Sequence, residues 1–196
     1  MTILWIIALA MTAIFLMLLM LLFLRKAQFD AIHQNFLDLE DAYGGRVIRG
    51  GFAVRPRYAG RFKGQDIVVS ISTEKAEGER RYYIAVSMEA ASRLNFFIKS
   101  TDWLGKKDVA EEQKERTLSI LNGQYLIEAK SSADLKKVDL AIFEKLVANL
   151  PPFAYILIGN SRMLLERISQ RILDDTKLEA MQPVFEGMYQ LKTALE

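Results

Sequence analysis

ILWIIALAMTAIFLMLLMLLFL, residues 3–24, runs for 22 residues without a charge, and Thr12 is its single polar side chain. At about 1.5 Å of rise per residue, a helix of that length crosses a hydrocarbon core about 30 Å thick. A secretory signal peptide has a basic stretch first, an apolar run of about 7–15 residues and a small-x-small cleavage site. Here the bases, Arg25 and Lys26, follow the run, and LFLRK at residues 22–26 offers no such site. Residues 1–26 therefore read as a retained transmembrane anchor. The positive-inside rule places Arg25 and Lys26, and the domain after them, on the cytoplasmic side. That predicts a single-pass protein of the inner, cytoplasmic membrane with its N-terminus outside. Trp5 falls at the outer interface, where indole rings prefer to lie.

Working outward, residues 27–45 continue as a juxtamembrane helical neck. Phe29, Ile32, Phe36, Leu39 and Tyr43 recur at three- and four-residue steps, the spacing of one helix face. Gly44-Gly45 then stops the helix. Anchor and neck form either one helix of about 40 residues or two with a break near Lys26. His33 lies on the neck. With no second ligand candidate nearby, a packed or polar neck residue explains it better than a metal, pigment or proton-carrying role.

Charge is unevenly spread. Residues 27–45 carry four acids and no base, and residues 46–65 carry six bases and no acid. Arg55, Arg57, Arg61 and Lys63 all occupy odd positions, so an extended strand sets them on one face as a comb of cations. Two expectations follow. Either the comb meets anionic headgroups or an acidic partner, or it is a solvated face whose charges pair with the acidic neck.

Residues 46–196 read as one soluble α+β domain. DIVVSIS (66–72), YYIAVSM (82–88), RLNFFIK (93–99), FAYILI (153–158) and RMLLERI (162–168) are β-branched and aromatic runs. Glu74–Arg81 forms a charged turn around Gly78, and Gly159–Ser161 a tight one. The pattern predicts an antiparallel meander with packed helices. Asn122-Gly123 predicts a two-residue type I′ hairpin. Ser131 or Ser132, with Asp134, caps a following helix that Asp139 restarts and Pro151-Pro152 ends. Leu178–Leu195 forms a last amphipathic helix that Pro183 kinks or begins.

The chain lacks cysteine and has a single histidine, which removes disulfides, thiolate metal sites, cysteine nucleophiles and paired imidazoles. Glycine-rich phosphate loops and a nucleophile elbow are also missing. Glu111-Glu112 and Asp174-Asp175 sit in polar stretches and read as solvated loops. The net charge of +2 points away from nucleic acid. No cofactor is implied.

Four segments resemble a widespread family of uncharacterised prokaryotic membrane-anchored proteins with a soluble α+β domain. They are Leu39–Gly45, the Pro-x-x-x-Gly-x-aromatic-x-Gly stretch Pro56–Gly64, Tyr125–Ala129 before a capped helix, and Phe153–Ile168 before the last helix. The resemblance implies no enzymatic role. Together these features lead us to expect a non-enzymatic accessory or scaffold subunit, bound to a membrane-protein complex or to copies of itself. The alternative is a lipid- or small-ligand-binding module at the membrane surface.

Overall fold

Ile67, Val69 and Ile71 alternate along one strand and Ile84, Val86 and Met88 along the next, and all six side chains are buried. Period-two alternation puts each set on one face of its strand, and the pairing Ile67↔Met88, Val69↔Val86, Ile71↔Ile84 stacks them side by side. This hairpin organises the domain. The structure is a computed structural model that describes residues 2–52, 54–76, 79–90, 95–104, 117–129 and 139–195. The expectations for Gly78, Arg93, Glu111-Glu112, Ser131, Ser132 and Asp134 lie outside those residues.

In chain order the elements are α1 (Thr2–Tyr43), β1 (Arg46–Ile48), β2 (Arg57–Phe62), β3 (Gln65–Ala76), β4 (Glu79–Glu89), β5 (Phe96–Ser100), α2 (Thr101–Leu104), β6 (Thr117–Ile120), β7 (Tyr125–Ala129), α3 (Leu140–Ala148), β8 (Tyr155–Ile158), β9 (Arg162–Ser169), α4 (Ile172–Asp175) and α5 (Leu178–Thr193). The strands make one antiparallel sheet in the order β1-β2-β3-β4-β9-β8-β5-β7-β6. The α+β class and the long apolar N-terminal helix stand as expected. The strand order is richer than a simple meander, because the β8–β9 hairpin inserts between β4 and β5. Its physical reason is the composition of β8. Ile156 and Ile158 are fully buried on one face, and Tyr155 and Leu157 are half-buried on the other. A strand apolar on both faces belongs in the interior of a sheet.

α1 is a single continuous helix of 42 residues, about 63 Å long. Its first half is bare. Its second half lays Phe29, Ile32, Phe36 and Leu39 into the same core as β2, β3, β4, α3 and α5. The neck is thus part of the domain core. α4 braces it from the side: the Asn35 side-chain amide donates to the Leu173 carbonyl (2.7 Å) and to the Thr176 hydroxyl (2.9 Å).

Two turns show what local chemistry decides. Lys63 and Gly64 take φ of 48° and 82° and close the Phe62↔Gln65 pair, a two-residue hairpin turn of the favoured hand. The Asn122-Gly123 turn is wider than expected. The pair Ile120↔Tyr125 encloses four residues, and Leu121 also has positive φ. Leu121 packs on the core and its N–H donates to Glu144 of α3 (2.6 Å), which draws it into the loop.

Asp139 is the N-cap of α3, accepting from the N–H groups of Ala141 and Ile142. α5 starts at Leu178, so Pro183 lies inside it and is not its start.

Candidate functional site

The chain's chemistry gathers at the two ends of the α1 neck. At the far end, Gly44 and Gly45 end α1, and the buried Tyr58 of β2 donates its hydroxyl to the Gly44 carbonyl (2.8 Å). The approach is close enough to require glycine. A Cβ on Gly60 would stand 2.0 Å from the Tyr58 hydroxyl, and one on Gly45 would stand 2.3 Å from the Ala59 carbonyl oxygen. Burial pushes the Tyr58 phenol up to about 12, with the Glu40 carboxylate adding to the shift. Two of the segments that carried the family resemblance, Leu39–Gly45 and Pro56–Gly64, therefore meet in one lock.

The cation comb does not form as a single row. β2 begins at Arg57, so Arg55 lies before the strand. Its guanidinium turns to the Thr73 hydroxyl, and its Nε is buried without a partner. Arg57 and Arg61 are exposed and flank Ala59 on the sheet face opposite the helices. Arg61 pairs with Asp66 at 2.8 Å in open solvent. Lys63, in the turn, pairs with Glu186 of α5 at 2.7 Å and lies over the Tyr189 ring. The acidic neck does not neutralise these four; its Asp30 takes Lys26 and Arg49, both at 2.5 Å. Those two cations hold the Asp30 carboxyl below the ordinary carboxylate range.

Position matters as much as pairing. Arg61 and Lys63 follow Gly60, which packs against Gly44 at the end of the neck. Along the axis of α1, Tyr43 is about 28 Å beyond Leu24. That is several Debye lengths at physiological salt, so Arg61 and Lys63 stand far along the axis from the end of the apolar half.

At the near end, residues 3–24 form the helix's apolar half. Its side chains are unburied, and the helix is long and apolar enough to cross a membrane. Trp5 is exposed in its first turns. At the exit, the Arg25 guanidinium lies 5.4 Å from the Phe29 ring centroid and Lys26 reaches back to Asp30. The segment between β1 and β2 returns to this point. Phe52 meets Phe23 edge to face with ring centroids 6.2 Å apart, and the Lys26 ammonium lies 5.4 Å from the Phe52 ring. Sequence reasoning missed Arg49 and Phe52; an aromatic residue directly after Gly50-Gly51 was the available signal.

Among the described residues, two clefts stand out. One, of about 590 Å³, lies at the far end and is bordered by Tyr43, Arg46, Arg61, Asp66 and Arg162. The other, of about 530 Å³, is bordered by Arg81, Asp102, Phe153, Arg171 and Asp175. Asp175 is already engaged by Arg167 (2.8 Å) and the Ser169 hydroxyl (2.7 Å), so the Asp174-Asp175 pair braces α4. His33 is half-buried, with Nδ1 buried and unpartnered. Among the described residues, no group of three or more acidic or histidine side chains is arranged to hold a metal ion.

No family model and no curated protein matches the sequence. A solved structure shares the fold. The mycobacterial trehalose monomycolate transport factor A superposes with a TM-score of 0.51 over 82% of this chain and 96% of its own, at 9% sequence identity. At that identity the likeness is one of fold.

Proposed function

We propose that this chain is a membrane-anchored, non-enzymatic accessory subunit that binds a protein partner in the same membrane, with its folded domain on the cytoplasmic side. One observation carries the reading: α1 runs without a break from an unburied apolar half into the domain core. A helix shared in this way holds the domain at a set height above the bilayer, which suits holding a partner. Arg25 and Lys26 at the cytoplasmic end set the orientation. The sheet face away from the helices supplies a contact surface. Phe97 and Ile168 are exposed there, and Tyr155, Leu157 and Leu164 are half-buried. A fold shared with a protein named as a transport factor fits such a role.

A second reading has its own support. Arg46, Arg61 and Arg162 border the far cleft, against one acid, Asp66. Such a cleft suits an anionic small ligand.

One experiment separates the two. The full chain, tagged at its C-terminus, is extracted in mild detergent, and co-purifying proteins and small molecules are identified by mass spectrometry. The accessory reading expects a membrane protein in fixed stoichiometry, lost in Phe97→Arg. That variant is expected to fold, because position 97 faces Glu128 across the β5–β7 pair. A lone monomer that retains an anionic small molecule would favour the second reading. Orientation is checked with Asn160→Cys in this cysteine-free chain. The thiol is expected to resist a membrane-impermeant maleimide in intact cells, and labelling would overturn the cytoplasmic assignment.

A further inference from the structure

We propose that the β1–β2 segment is a second membrane contact, with Phe52 inserted at the bilayer interface beside α1. This rests on reading residues 3–24 as a span.

Three apolar side chains at the end of β1 and in the connection after it face outward: Ile48 at 43% exposure, Phe52 at 57% and Val54 at 47%. On a soluble domain that is an unfavourable concentration of apolar surface in one loop. Its location explains it. Phe23 is the next-to-last residue of the charge-free run, so it marks the depth at which hydrocarbon gives way to headgroups. Phe52 touches Phe23, so it shares that depth. The apolar surface of the span therefore continues, without a gap, onto the loop.

The loop is built to hold Phe52 there. Arg49 donates to Asp30 on α1 at 2.5 Å and to the Phe52 carbonyl at 3.1 Å. Its root is thereby tied to the helix one turn past Lys26. The Val54 N–H donates to the Gly51 carbonyl (3.4 Å), a bond that spans Phe52. Lys26 over the Phe52 ring and Arg25 over the Phe29 ring are the cation and aromatic pairing expected at headgroup level. A single helix leaves a domain free to rotate about its axis. A second contact removes that freedom and fixes which edge of the sheet is presented to a partner.

The test uses the full chain in vesicles of equal parts phosphatidylcholine and phosphatidylglycerol, with no other protein present. Val54→Cys carries an environment-sensitive fluorophore and leaves Phe52 in place; Leu16→Cys reports the span and Asn160→Cys the solvent. The expected result is a blue-shifted emission at position 54, quenched by lipids brominated near the headgroup and several-fold less accessible to iodide than position 160. Adding Phe52→Asp should return position 54 to the solvent value. A position 54 that matches position 160 while position 16 stays in lipid overturns the loop contact alone, and leaves Phe52 as a surface for protein. A position 16 open to iodide overturns the span reading and the loop contact with it. Phe52→Cys, labelled directly, repeats the measurement should Val54→Cys fail to fold.

Discussion

The two halves of α1 share one backbone, yet their surroundings are opposite. Ile3 through Leu24 leave their side chains open, whereas Phe29, Ile32, Phe36 and Leu39 are at most 1% exposed. The difference lies in what the intervening residues are. From Phe29 to Glu40 the apolar positions form a stripe, with Asp30, Asn35, Asp38 and Glu40 off it, and a striped helix folds onto a sheet. Before Leu24 the apolar residues surround the axis, and no single sheet face can cover such a helix. The same hydrophobic effect thus gives an uncovered apolar half long enough to cross a membrane and a core-facing half, sorted by where polar residues interrupt the run.

Charge separates them most sharply. Phe36→Asp buries an unpaired carboxylate in the core and should cost more than about 4–5 kcal/mol, enough to lose the cooperative thermal transition. Leu16→Asp should leave that transition in place. It should instead weaken membrane retention, because an acid at the centre of a span costs about 2.5–3.5 kcal/mol of insertion. Fractionation and circular dichroism on both variants read the contrast.

The lock at the far end of the neck comes next in size. Gly60→Ala places a methyl group 2.0 Å from the Tyr58 hydroxyl and 2.6 Å from the Gly44 carbonyl. Parting β2 from the end of α1 should cost about 3 kcal/mol, read as a fall in urea midpoint.

Tyr58→Phe is milder. It leaves the Gly44 carbonyl unpaired and should cost about 1–2 kcal/mol at neutral pH. It also changes the alkaline limb. The folded Tyr58 phenol titrates at about 12 against an ordinary value of 10.0. Its contribution is therefore intact below pH 10 and is lost as pH rises from 10 to 12. The variant should lose less stability than the parent across that window. Tyr155, also pushed up to about 12, keeps its own share of the decline.

Smallest is Arg61→Ala. Both members of the Arg61–Asp66 pair are more than half exposed, so solvent screening should leave the urea midpoint almost unchanged. A larger loss would mean that the exposed sheet face is more tightly organised than its geometry implies.

What the sequence disclosed follows from the range of the interactions involved. The span, the neck stripe, the Gly44-Gly45 stop and most of the strands depend on local periodicity, so they were legible. The place of the β8–β9 hairpin was not, because it depends on which strand is apolar on both faces once the sheet is assembled. The comb shows the same limit. The odd spacing of Arg55, Arg57, Arg61 and Lys63 was real, but β2 starts at Arg57, and the partner of Lys63 is Glu186, 123 residues away. Leu39–Gly45 and Pro56–Gly64 could be singled out as motifs. That they face each other through Tyr58 needed the fold.

The central claim is that the second half of α1 belongs to the domain and only the first half to the membrane. Thermal unfolding of two shortened chains, one beginning at residue 25 and one at residue 44, tests it directly. The account predicts that the chain from Arg25 leaves the membrane fraction and melts cooperatively. The chain from Gly44, without Phe29, Ile32, Phe36 and Leu39, should show no cooperative transition. A chain from Gly44 that melts at the same temperature as the longer one would contradict the account.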